Sequence, residues 1–245
     1  MSIREAIPIS KPSRRAAALA TLAVGLSAVG AALIGSAPGA SAGPVARTTI
    51  VLGKTGTTPD ASCPESPCRA VGSVTGFQIR NQEGSLPFRV PRNGEITAWT
   101  VFLSKPTDHQ RAFFNGFFGR PPEAHLAILK RVPASDPPRY RLRRQSPIEV
   151  LSGQPGGLAR FSLDQPLRVR RGNVVALSIP TWIPAFAFDL SPANAWRASR
   201  QPGHCTNATD LRQGTPQQVV GSRRAYGCRY NGARLLYTAT LVVGG

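Results

Sequence analysis

The chain has 245 residues, with 30 Lys plus Arg against 12 Asp plus Glu for a net charge of +18, and 41% hydrophobic residues including ten Phe and three Trp. That apolar fraction excludes wholesale disorder, and the length admits one large β domain or two small ones. Of the cations 26 are Arg and four are Lys, a usage expected of a GC-rich genome, so codon choice accounts for part of the charge but not for the shortage of carboxylates.

Arg4, Lys11, Arg14 and Arg15 precede an uncharged run from Ala16 to Ala42 that ends in Ala40-Ser41-Ala42. A positive start, an apolar stretch and a small-x-small site predict a signal peptide over residues 1–42, cleaved after Ala42, and hence a secreted or cell-envelope location. An uncleaved anchor is the alternative, since a bilayer needs ~20 apolar residues, but Pro38 and Gly39 break the run just before the cleavage site. Ser13-Arg14-Arg15 resembles the start of a twin-arginine signal. Ala17 and Ala18, however, stand where that signal has Phe and Leu, and the export route stays open. Beyond Ala42 the net charge is +15, and no second apolar run of membrane-spanning length follows.

Residues 43–69 read as a lead-in strand, Thr48 to Leu52, and a loop closed by Cys63-Pro64-Glu65-Ser66-Pro67-Cys68. The four Cys are even in number and follow an export signal, so disulfides are expected, paired locally as Cys63–Cys68 and Cys205–Cys228. Their spacing is not that of a zinc finger or ribbon, and neither metal nor cofactor is expected.

From residue 70 to 245 short β-rich runs alternate with Pro and Gly punctuation. Strands are predicted at Ala70 to Ile79, Leu86 to Val90 and, after the turn Arg92-Asn93-Gly94, Glu95 to Leu103, which is apolar on both parities and therefore central. In Thr107 to Gly119, Thr107 or Asp108 can cap a short helix carrying Phe113, Phe114, Phe117 and Phe118, although Phe-Phe-Asn-Gly-Phe-Phe also reads as a hairpin. The helix is preferred, with its rings plugging an open end of the fold. Further strands follow at Ala124 to Val132, 139–144, Ile148 to Leu151, Leu158 to Leu163, Leu167 to Arg170 and Val174 to Ile179. Residues 181–222 read as mostly irregular, and Asn231-Gly232 as the turn of a hairpin between Tyr226 to Tyr230 and Arg234 to Val243. About ten strands with at most one short helix make an all-β, antiparallel, jelly-roll-like β-sandwich.

Phe88-Arg89-Val90-Pro91, Gly94-Glu95-Ile96-Thr97-Ala98-Trp99, Ala127-Ile128-Leu129-Lys130 and Leu167 through Leu177 together resemble a group of uncharacterised exported β-sandwich proteins of high-GC Gram-positive bacteria. The resemblance spans residues 70–243 and implies architecture alone. Asn173 stands where that pattern usually has Asp.

No nucleophile elbow, metalloprotease helix or phosphate loop is present, and His109, His125 and His204 stand in no nucleophile–base spacing. An enzyme is therefore not expected, and a hydrolase without a recognisable motif is the residual alternative. Two binding classes remain. Trp182, Trp196 and Arg197 in the irregular region are candidates for a lectin-like carbohydrate platform, with burial of both rings as the competing reading. Arg139, Arg141 and Arg143 alternate with Tyr140 and Leu142 to make a basic stripe. Joined by Arg168, Arg170, Arg223 and Arg224, it suits a polyanionic or glycan wall component, with anionic lipid or nucleic acid bound non-specifically. The expected function is that of an exported, non-catalytic binding protein of the cell envelope.

Overall fold

Strands that are apolar on both parities must be covered on both faces, and that requirement organises the fold. The computed structural model describes residues 47–154 and 156–244, so the signal peptide and the Ala42 cleavage site lie outside the described residues. In chain order the strands are β1 (Thr48–Leu52), β2 (Val71–Asn81), β3 (Gly84–Ser85), β4 (Gly94–Leu103), β5 (Glu123–Arg131), β6 (Arg139–Gln145), β7 (Glu149–Val150), β8 (Gly157–Val169) and β9 (Val174–Ile183). They continue as β10 (Phe186–Ala187), β11 (Ala195–Ala198), β12 (Arg223–Ala225), β13 (Cys228–Asn231), β14 (Arg234–Leu235) and β15 (Tyr237–Val243). Helix α1 (Asp108–Phe118) lies between β4 and β5, and α2 (Ala208–Arg212) between β11 and β12.

One sheet has the order β1-β15-β4-β8, the other β12-β6-β5-β9-β2-β11-β13, with β3 beside β2, β7 beside β5, and β10 and β14 forming a two-stranded ribbon. The eight principal strands, β1, β2, β4, β5, β6, β8, β9 and β15, divide between the sheets in the order of a jelly roll, alternating except for the β5–β6 pair within the larger sheet. Trp99, Ile96, Leu126, Ile128, Leu177 and Leu241 are fully buried in the common core. Phe88 stacks on Tyr237 with centroids 4.1 Å apart, where Gly53 leaves room that a Cβ would fill at 2.1 Å from the Phe88 ring.

The larger sheet closes on itself. Strands β12 and β13 stand at opposite ends of its order, yet only Tyr226 and Gly227 separate them in the chain. So short a link spans roughly 10 Å at full extension, and the two edges must meet. Inside the curl the rings of Phe77, Tyr140 and Tyr226 pack mutually, with centroids 5.0–5.6 Å apart. Gln217 ties the closure together: its backbone N–H donates to Thr75 Oγ1 (2.8 Å), its Nε2 to Tyr140 O (3.1 Å) and Ser222 O (2.8 Å), and its Oε1 accepts from Tyr226 Oη (2.9 Å). Thr75, Ser178 and His125 lie in one cross-strand row on the same face, with the Thr75 and Ser178 hydroxyls 2.8 Å apart.

Helix α1 starts with a capping box. Thr107 Oγ1 accepts from Gln110 N (3.2 Å), and Gln110 Oε1 accepts from Thr107 N (2.8 Å), so the segment is a helix and not the hairpin its Asn-Gly pair also suggested. The disulfides Cys63–Cys68 and Cys205–Cys228 are both present, as expected in an oxidising compartment. No helix among the described residues is long and apolar enough to cross a membrane.

Several sequence expectations are corrected. Fifteen strands and two helices replace ten and one among the described residues, the excess being mostly two- to four-residue pieces and the five-residue α2. Leu86 to Val90 is not a strand but a turn with a single bridge, Arg89 to Val174, and Ile148 to Leu151 shrinks to β7. The runs on either side of Pro166 are one strand, β8, an edge position where proline's missing N–H leaves no ladder bond unmade. The region 181–222 is less irregular than predicted, since it holds the end of β9 together with β10, β11 and α2. Asn231-Gly232 closes no hairpin. β13 pairs with β11, whereas β15 pairs with β1 and β4, so this turn carries the chain from one sheet to the other.

Two outcomes follow from the curl. Tyr226→Phe strands the Gln217 Oε1 acceptor in a buried site and should cost about 1–3 kcal/mol in urea unfolding. His125 is fully buried, and burial lowers its imidazole to about 4, against a weaker opposing hydrogen bond to Leu126 O. As pH falls from the ordinary value of ~6.5 toward 4, the unfolded chain takes up a proton that the folded chain refuses, so up to about 3 kcal/mol of stability present near neutrality is lost. His125→Leu should flatten that part of the pH–stability curve relative to wild type; an unchanged slope would assign the loss to other groups.

Candidate functional site

Closure of the larger sheet brings residues from its two ends into one pocket. Arg139 on β6 and Arg223 and Arg224 on β12 come from one edge; Arg200 and His204, just beyond β11, come from the other. Together with Asp210 they line a pocket of about 540 Å³. The segment 204–215 forms its wall and is fixed at three points. Cys205–Cys228 ties it to β13, Tyr230 Oη donates to Cys205 O (2.6 Å), and Arg224 Nη1 donates to Thr215 O (2.9 Å) and Thr215 Oγ1. Gly214 permits the close passage of this wall, since a Cβ there would lie 2.3 Å from Ser73 O.

Arg200 is buried at 6% exposure. Its Nη1 donates to Tyr230 Oη (3.1 Å) and its Nη2 to Gly72 O (2.9 Å), while the buried Nε, packed against Gly214, has no partner among the described residues. The one carboxylate in the pocket is already engaged. Asp210 holds His204 Nδ1 at 2.9 Å and accepts from Asn207 Nδ2. Arg139, Arg200, Arg223 and Arg224 form no ion pair among the described residues. Outside the pocket rim, Lys130, Arg141 and Arg223 stand opposite one another across β5, β6 and β12, a like-charged row that is unfavourable without counter-charge. Guanidinium forks without carboxylates are suited to phosphate, sulfate or carboxylate groups of a ligand.

The sequence-predicted cations thus divide. Arg139, Arg223 and Arg224 meet in the pocket, Arg141 joins them through the cross-strand row, and Arg143 lies exposed further along β6. Arg168 lies on β8 in the other sheet, 3.5 Å from Glu95, and Arg170 just beyond its end; neither lines the pocket. Arg200 escaped the sequence reading because nothing local marks an arginine that the fold will bury.

The carbohydrate candidates are corrected. Trp182 is 2% exposed, packs on Phe114 at 5.0 Å and donates its Nε1–H to Asn115 Oδ1 (3.0 Å), so its proline-flanked position is core and not loop. Trp196 is 3% exposed, stacked on Tyr230 at 4.5 Å over Gly76. Neither ring offers an open face to a sugar. Arg197 points to the opposite face of β11 from Trp196, into the mouth of the curl, and donates from Nη1 to Tyr226 O (2.9 Å). Burial, with Arg229 and Arg131 close by, holds its guanidinium below the ordinary value.

The expected aromatic plug is half present. Phe114 is buried and Phe118 lies over Gly72, where a Cβ would approach its ring to 2.7 Å; Phe113, however, is 59% exposed and stacks on Phe117 at 5.8 Å. These rings open onto a second cavity, a groove of about 530 Å³ between α1 and α2 that Arg200 also lines. Comparison with protein-family models, with curated proteins and with solved structures finds no match, so the functional reading rests on these side chains.

Proposed function

We propose that this chain is an exported, non-catalytic binding protein of the cell envelope whose partner is a polyanion, an anionic wall polymer being the natural class. One observation carries the reading: four arginines, one of them buried, line a single pocket whose only carboxylate is held by His204 and Asn207. Unpaired cations gathered from both ends of a sheet repel one another, and an anionic ligand relieves that repulsion. The row Lys130–Arg141–Arg223 extends the field beyond the rim, which suits a polymer better than an isolated ion. Export through the signal peptide, with cleavage after Ala42, belongs to the same proposal; the two disulfides support it. With Trp182 and Trp196 buried, a neutral-sugar platform has no support in the site.

The test is binding of long-chain polyphosphate and of a neutral glucan to the purified chain across a salt series. Polyphosphate should bind with affinity falling steeply as salt rises, and the neutral glucan should not bind. Arg139→Gln/Arg223→Gln/Arg224→Gln should weaken polyphosphate at low salt by at least about tenfold and flatten the log–log salt slope by about 2. Salt-independent binding, or full affinity in the triple variant, would sink the polyanion reading.

A further inference from the structure

The groove on the far side of Arg200 has a different chemistry. α1 contributes Phe113, Phe117 and Phe118, α2 contributes Leu211, Trp196 lies in the lining, and no carboxylate lines it. Phe114 and Phe118 already anchor the helix on Trp182 and Gly72, so Phe113 and Phe117 are not needed to hold it, yet they leave apolar surface open to water. The volume lies within the ~300–1,000 Å³ of small-molecule sites.

The polar groups in the groove are of one kind. Arg69 is exposed, with its guanidinium 4.3 Å from the Phe188 ring centroid, and Arg200 supplies a second cation. The Tyr230 hydroxyl is already committed, accepting from Arg200 and donating to Cys205 O. Two cations and no carboxylate among the described residues lining an aromatic groove call for a ligand that is apolar along its length and acceptor-only at its head. Among common head groups a carboxylate has that character; an alcohol brings its own donor and an ammonium ion is repelled.

We propose that the groove between α1 and α2 binds a single-chain fatty carboxylate, its chain lying along Phe113, Phe117 and Phe118 and its head meeting Arg69 and Arg200. This site is separate from the polyanion pocket and does not depend on that reading.

Calorimetric titration of the intact chain with dodecanoate and with dodecyltrimethylammonium, both below micelle formation, tests it. Dodecanoate should bind saturably at one site, and the cationic amphiphile at least about tenfold more weakly. Phe113→Ser/Phe117→Ser, at positions the fold does not need, should lower dodecanoate affinity about tenfold with thermal unfolding unchanged. Arg69→Gln should narrow the gap between the two amphiphiles. The Arg139→Gln/Arg223→Gln/Arg224→Gln variant should bind dodecanoate as wild type does, which separates this site from the polyanion pocket. No saturable binding, equal affinity for both amphiphiles, or full affinity in the Phe double variant would overturn the proposal. So would a dimer in sedimentation that the Phe double variant dissolves and dodecanoate does not, because the groove would then be covered by a second copy.

Discussion

The two-residue link between β12 and β13 is the constraint on which the rest of the molecule depends. An open antiparallel sheet can leave one face wet, but this sheet's ends are tied together by Tyr226 and Gly227, so its second face becomes the lining of a curl. That explains why β2, β5 and β9 are buried almost throughout on both parities. It also explains why polar groups within the curl must find partners there. Thr75, Ser178, Ser199, Gln217 and Tyr226 do so through one another and the backbone, with Gln217 as the common node. His125, in the same row as Ser178, is left with an unpartnered Nε2 and a lowered pKa, the local cost of a polar side chain in a closed space.

Closure also determines the surface. Arg139 and Arg224 belong to one end of the strand order and Arg200 to the other; in a flat seven-strand sheet they would stand far apart at ~4.8 Å per strand. Bent into contact, the two edges concentrate charge that the sequence spreads over eighty-odd positions. The chain crossing between the edges, residues 199–222, cannot be a loose loop because its backbone passes against Ser73 at Gly214 and is tethered by Cys205–Cys228. Removing that tether would free the wall carrying His204 and Asp210, so the disulfide keeps the pocket preformed.

Local signals were readable wherever their cause is local. The capping box at Thr107–Gln110, the Cys63–Cys68 pairing, the doubly apolar strands and the alternation of Arg139, Arg141 and Arg143 against Tyr140 and Leu142 are each written within about a dozen residues, and Cys205–Cys228 within 23. What failed was partner choice. Asn231-Gly232 has the chemistry of a hairpin turn, but which strand β13 or β15 joins is decided by the closure of one sheet and the edge of the other, many residues away. The same holds for Trp182. Its flanking prolines suggest a loop, while the contacts that bury it come from Phe114 and Asn115 on a helix about 65 positions earlier. Of the candidate site, the sequence supplied three of the four pocket arginines and missed the buried one, since burial of a charge is a property of the assembled fold.

That missing residue is the pivot of the functional surface. Arg200 has no carboxylate partner, and its burial is offset only by neutral acceptors, a backbone carbonyl and a tyrosine hydroxyl that itself must donate elsewhere. A buried cation so placed keeps its charge uncompensated, and it stands between two cavities of opposite character, one lined by arginines and one by aromatic rings. Acceptors presented from either cavity therefore meet the field of the same cation. The polar pocket gains an inner charge that surface arginines alone, screened by water, do not provide; the apolar groove gains a polar end that its rings alone cannot supply. On both proposals, a single arginine that the fold buries without a counter-ion among the described residues biases the two cavities toward anions, and the closed sheet is what holds it there.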